Sequence, residues 1–264
     1  MMRFLRNVAN GFLPILIAAL LWEGLDRVGW LNPVLVPPPS RILTTLLGLL
    51  TPGSVQAQAS GLLITHLGES LYRLGVALAL AVAVGVPLGM LMATSRVVEW
   101  ACRPLVGLLM PIPALAWTPL FMVVMGLGNR TTITVSFLAA VIPIIYTAYA
   151  GVRAIGTHHV WAARMMGASS WGLFQRVLLP GALEHIIPGM RLAFARAWRV
   201  LIAAEMLAAT NFGLGYLIAA AGQYMETNVI FASVLMISIT GLVFERGVFD
   251  WVERRTVRRW GVTQ

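Results

Sequence analysis

The chain has 264 residues, 59% of them hydrophobic and only 11% charged, with a net charge of +9 and a mean hydropathy of +0.83. A soluble domain carries roughly a quarter charged residues, so the shortfall marks a membrane protein. All 19 basic residues are arginine, spread between apolar runs rather than massed on one face, which argues against a nucleic-acid partner and leaves no lysine for a phosphate-binding P-loop or a Schiff base. One cysteine, Cys102, excludes an internal disulfide and a thiolate metal site.

Charge-free runs of roughly 20 residues mark the spans. Residues 11–22 form the first, behind Arg3 and Arg6, and the helix can continue past Glu23 and Asp26. No small-x-small cleavage site follows, so a retained helix is expected rather than a signal peptide. Residues 31–67 are assigned to an external loop. Pro37, Pro38 and Pro39 cannot continue a helix there, and Ser40 offers an N-cap for a segment ending near Leu50, either a surface helix or a plain linker.

The second span covers residues 74–93, flanked by Arg73 and Arg96. Its Gly85 and Gly89 make a small-xxx-small pattern suited to close helix packing. The third, residues 104–128, contains Pro111, Pro113 and Pro119, each of which removes a backbone donor. A helix broken at membrane depth survives where protein or water satisfies the freed carbonyls. Met110, Pro113 and Trp117 are therefore candidates to line a pathway or gate; a structural kink is the alternative.

Residues 131–152 are the fourth span, residues 186–210 the fifth and residues 229–244 the sixth. The fifth carries Arg191, Arg196, Arg199 and Glu205. A charge at mid-membrane costs ~2.5–3.5 kcal/mol, so Arg199 and Glu205 are expected to face water or a partner. Arg199 and Glu205 are six apart on the helix and do not pair with each other. Arg199 is a candidate for drawing anions into a pathway; snorkelling or bracing a loop is the competing role. His158 and His159 diverge on a helix, without metal-ligand spacing. Neither a nucleophile–base pair nor paired catalytic carboxylates occur, so enzymatic chemistry is not expected.

Arginines collect at alternate ends of the spans: Arg3 and Arg6; Arg96 and Arg103; Arg153, Arg164 and Arg176; Arg254, Arg255, Arg258 and Arg259. The positive-inside rule then puts both termini and residues 153–185 in the cytoplasm. The chain reads as one all-α, polytopic domain of about six transmembrane helices, residues 1–264.

The cytoplasmic stretch WAARMMGASSWGLFQRVLLPG, residues 161–181, predicts a helix closed by Gly167 in the left-handed conformation. Ser169 or Ser170 caps a second helix with Trp171, Phe174 and Leu178 on its apolar face, and Pro180 and Gly181 stop it. The pattern alone fits an amphipathic hairpin on the headgroups as well as a docking surface for a soluble protein.

The spacing of this stretch resembles the cytoplasmic loop of permease subunits of binding-protein-dependent ABC importers. That motif is Glu-Ala-Ala, three residues, Gly, nine residues, then Ile-x-Leu-Pro. Here Trp161-Ala162-Ala163 is followed by Gly167 and by Val177-Leu178-Leu179-Pro180, with the spacing kept throughout. The likeness extends from LVPPPS near Val36 to GLGYLIAAA at 213–221, and is greatest to the nitrate, sulfonate, taurine and bicarbonate group, whose relatives include importers of thiamine precursors.

The resemblance implies the ABC type I importer fold in a bacterial inner membrane, as a homodimer. Two cytoplasmic ATPase subunits would bind ATP and Mg, with no cofactor in this chain, and an external binding protein would deliver the solute. It implies that Trp161, Ala162, Ala163, Gly167, Ala168, Leu178 and Pro180 couple the permease to the ATPase, Pro180 ending the coupling helix. Trp161 departs from the motif glutamate, so docking here is expected to be apolar. An ion-gradient-driven secondary permease is the competing reading; it predicts buried acidic relays and inverted repeats, and the spans contain Glu205 alone.

Overall fold

The computed structural model describes residues 2–54 and 62–256. Arg258, Arg259 and residues 55–61 of the loop assigned to the outside lie beyond them. Every regular element among the described residues is helical. Two compact units result, one of residues 1–67 with 217–237 and one of residues 68–216 with 238–264.

In the first unit, α1 (Met2–Arg27) exposes Ile15, Leu16, Leu20 and Leu21, the apolar surface of a helix made for lipid or for another chain. Trp22 meets Phe231 edge-on at 5.6 Å between ring centroids. Helix α2 (Pro39–Leu50) buries Ile42, Leu46 and Leu49. Ser40 is not its N-cap. Pro39 occupies the first turn, where a missing N–H is tolerated. The Ser40 N–H and hydroxyl both donate to the Glu23 carboxylate, at 3.2 and 3.0 Å, tying α2 to α1.

Helix α3 (Leu63–Thr94) begins eleven residues before the expected span, so Arg73 lies inside it rather than at its edge. Next come α4 (Arg96–Leu109), a 3-10 turn (Ala114–Trp117) and α5 (Thr118–Met125). The proline-rich segment does break the third span: α4 and the 3-10 turn with α5 meet at 90°. Helix α6 (Asn129–Ala154) is the most enclosed, with half of its apolar window buried.

Beyond it, α7 (Thr157–Met165) and α8 (Ser170–Leu173) form the helical hairpin. A π-helical turn (Phe174–Leu178) leads directly into α9 (Leu179–Ala208). Pro180 therefore does not end the coupling helix; the chain stays helical from Ser170 to Ala208. The π turn explains how. Leu179 N–H bonds five residues back to Phe174, and the widened turn accommodates the proline ring that would clash in regular α-helix.

Helices α10 (Leu214–Gln223) and α11 (Thr227–Leu242) follow, then a second π segment (Val243–Phe249) and α12 (Asp250–Thr256). By length and composition α3, α6 and the run Thr227–Glu253 can each cross a membrane, and the bent pair supplies a fourth passage. Helices α1 and α9, of 26 and 30 residues, have the length as well and bring the passages to about six.

Glycine lets the second unit's helices approach closely. A Cβ on Gly85 would lie 2.8 Å from the Ile144 side chain, and one on Gly89 2.8 Å from Ala148 Cβ, so α3 rests on the backbone of α6. On the next face of α6, a Cβ on Gly189 of α9 would collide with Thr147. Pairs α3/α6 and α6/α9 are thus spaced by missing side chains, as small-residue packing in membranes requires.

Candidate functional site

Three arrangements in the second unit bear on function. The first is the hairpin. Gly167 has φ +79°, and its N–H donates to the Arg164 carbonyl while the Ala168 N–H donates to that of Ala163. These two bonds form a Schellman motif, which ends α7 and reverses the chain. Ser169 is the cap of α8: its hydroxyl accepts from the Gly172 N–H at 3.1 Å.

Ala163, Leu173 and Leu178 are buried in one cluster with Met90 of α3 and Ala148 and Val152 of α6, with Ala168 packed at its edge. The hairpin is thereby clamped to two spans. Ala162 and Trp161 point away, Trp161 65% exposed, along with Met165, Met166 and Trp171. The inward face of α8 and the π turn is thus led by Leu173 and Leu178, with Phe174 half-buried, whereas Trp171 lies outside and stacks on Phe174 at 5.4 Å. His158 and His159 do not diverge; their rings lie 4.1 Å apart.

The second arrangement is a cavity of about 390 Å³ at the broken span. Met110, Pro113 and Trp117 line it together with Arg199, and Arg196 joins them one helical turn away. Helix α9 supplies both arginines; the proline break supplies the opposite wall. Arg199 Nε donates to the Ala195 carbonyl at 2.9 Å. Glu205, also a candidate for this pathway, is not among the lining residues.

Glu205 instead forms the third arrangement, a buried lock. Arg73 Nη1 donates to its Oε1 at 2.7 Å, with both side chains almost wholly enclosed. The Ser70 hydroxyl donates to the same carboxylate at 2.8 Å and accepts from the Leu214 N–H at 2.9 Å. Gly215 N–H donates to Oε2 at 3.0 Å, and Arg73 Nε donates to Asn129 Oδ1 at 2.9 Å. The carboxylate therefore holds the N-terminus of α10, where the helix dipole favours an anion, and joins it to α3, α6 and α9. Gly213, at φ +142°, fits because a Cβ there would lie 2.6 Å from Arg73.

Arg73, Ser70 and Asn129 escape a reading by hydropathy, since a charge ends an apolar window and Glu205 lies 132 residues away. The available signal was the apolar spacing of Leu63, Leu67 and Leu71, which extends the helix through the arginine. Arg191 of α9 is likewise paired, with Asp250 at 3.0 Å and Glu253 at 3.6 Å.

Long apolar helices packed through glycines and a broken span beside an arginine-lined cavity are the architecture of a multi-pass membrane protein. The chain belongs to the family of binding-protein-dependent transport system inner membrane components, whose model matches residues 85–258, and it is an ABC transporter permease. The taurine transport system permease of Escherichia coli K12 is 34% identical over 242 residues, covering 92% of this chain and 86% of that protein. The bicarbonate transport system permease of Synechocystis is 30% identical over 253 residues, covering 93% and 89%. A solved structure of the MetNI methionine ABC transporter in an inward-facing conformation shares the fold, with a TM-score of 0.63 at 22% identity over 76% of this chain and 96% of that one.

Proposed function

We propose that the chain, acting as one permease domain, is the membrane half of an ATP-driven importer for a small anion such as a sulfonate, taurine, nitrate or bicarbonate. Two copies form the conduit in the inner membrane, with both termini cytoplasmic. Two ATPase subunits, which hold the ATP and Mg, dock beneath, and an external binding protein brings the solute.

The observation that carries this reading is the hairpin. Its inner face is packed into the bundle through Ala163, Leu173 and Leu178, while Trp161, Met165, Met166 and Trp171 are left bare on its outer face. A soluble protein seated on that outer face moves the hairpin as a rigid body. Because α8 continues without interruption into α9, force on the hairpin reaches Arg196 and Arg199 along one helix. With tryptophan where the family has glutamate, Trp161 docks by apolar burial.

The test is co-purification of the cognate ATPase with Trp161 and Met165 variants. Buried aromatic anchors contribute about 2 kcal/mol or more to an interface, so Trp161→Ala should weaken ATPase binding roughly thirtyfold. Trp161→Ala binding with undiminished affinity would remove the hairpin as the docking surface.

A further inference from the structure

The arginines set well inside α3, α4 and α9 divide into two kinds. Arg73 pairs with Glu205, Arg103 with Glu99 and Arg191 with Asp250. Arg196 and Arg199 have no carboxylate partner among the described residues, although they lie about 17 and 20 residues into α9, some ~25–30 Å along its axis. Both residues are exposed, and both line the same cavity. No acidic residue lines that cavity; apart from the two arginines the wall is apolar, with Met110, Pro113, Trp117 and Ile142 opposite α9. Unneutralised charge at membrane depth is retained where it faces an ion or a water-filled path.

We infer that this cavity is a solute-selecting site within the permease itself, specific for an organic oxyanion that carries no positive charge. The inference rests on the importer reading above and sharpens it. Arg196 and Arg199, three apart on one face, grip the anionic head with forked donors suited to a sulfonate or carboxylate. The hydrocarbon or aromatic body lies on Trp117, Met110 and Pro113. Two kinds of anion fit poorly. An inorganic oxyanion such as nitrate leaves most of the 390 Å³ unfilled and the apolar wall uncovered. A zwitterion such as taurine brings an ammonium next to two guanidinium groups, with no carboxylate to receive it. Selection then occurs twice, once at the external binding protein and again inside the membrane.

The test uses the detergent-purified permease–ATPase assembly without binding protein, with 35S-butanesulfonate as the probe in equilibrium dialysis. Saturable binding is expected, displaced at least tenfold less effectively by taurine and by nitrate than by unlabelled butanesulfonate. Arg196→Gln and Arg199→Gln should each weaken binding at least tenfold, while Arg199→Lys, which keeps the charge, should stay closer to the parent. Assembly on size exclusion is the folding control, and the competition series needs no variant at all. An intact assembly that fails to bind butanesulfonate, or that binds taurine or nitrate equally well, overturns the inference, as does undiminished binding by both glutamine variants. Failure of the ATPase to associate in the first place counts instead against the importer reading.

Discussion

Glu205→Gln isolates the buried lock. Glutamine keeps the shape and still accepts from Ser70 and Gly215, at sites now 2.8 and 3.0 Å from the carboxylate oxygens. It removes the charge facing Arg73 and puts an amide NH2 in place of the oxygen that accepted from it, so Arg73, which is 3% exposed, keeps only neutral Asn129 at 2.9 Å and the solvent-exposed Glu69 carboxylate at 3.9 Å. Leaving one member of a buried ion pair uncompensated costs about 3–5 kcal/mol, and Arg73→Met should cost a similar amount from the other side. The double variant Arg73→Met/Glu205→Gln buries no net charge, so its loss should fall short of the summed single losses by about 3 kcal/mol. The assay is reversible unfolding in mixed detergent micelles, followed by helical ellipticity for all four corners of the cycle. Single variants within about 1 kcal/mol of the parent, or strictly additive losses, would show that the pair is hydrated in the folded state, and the lock would be refuted.

Two further outcomes follow from backbone geometry. Gly167→Val places a β-branched residue at φ +79°, a strain of about 1–2 kcal/mol concentrated in the Schellman turn. ATPase co-purification should drop at least fivefold, while Gly167→Asn, which tolerates this conformation, should retain most of it. Gly89→Val forces α3 away from the Ile145 carbonyl and Ala148, and overpacking of this kind typically costs about 1–3 kcal/mol. The variant's unfolding midpoint in the same micelle titration should fall, whereas Gly68→Ala, inside the same helix with nothing within 4 Å of the added carbon, should leave it unchanged or raise it slightly.

What could be read in advance depended on how local the cause was. Pro111 and Pro113 act on their own backbone, so the break of the third span and the grouping of Met110, Pro113 and Trp117 beside it were legible. Gly167 was legible for the same reason: one left-handed residue ends one helix. Ser40 misled, because its strength as a cap was real but Glu23, 17 residues earlier, offered its N–H and hydroxyl a better acceptor. Pro180 misled because a proline's effect depends on the turn before it, and a π turn is not written in residue identity. Arg73 was hidden by a rule that treats charge as the end of a span, when a carboxylate from a distant helix lets the charge stay inside. Arg199 was visible as unusual; that it shares a cavity with Trp117 and not with Glu205 required the packing of α9 on α6.

The most direct measurement is solute uptake by proteoliposomes holding the permease with its ATPase, supplied externally with the binding protein and its labelled solute. Accumulation should require ATP inside the vesicle, vanish when the ATPase is inactivated and stay at background under an imposed proton or sodium gradient alone. Gradient-driven uptake that persists without ATP or without the ATPase subunit would contradict the account and make the chain a secondary permease.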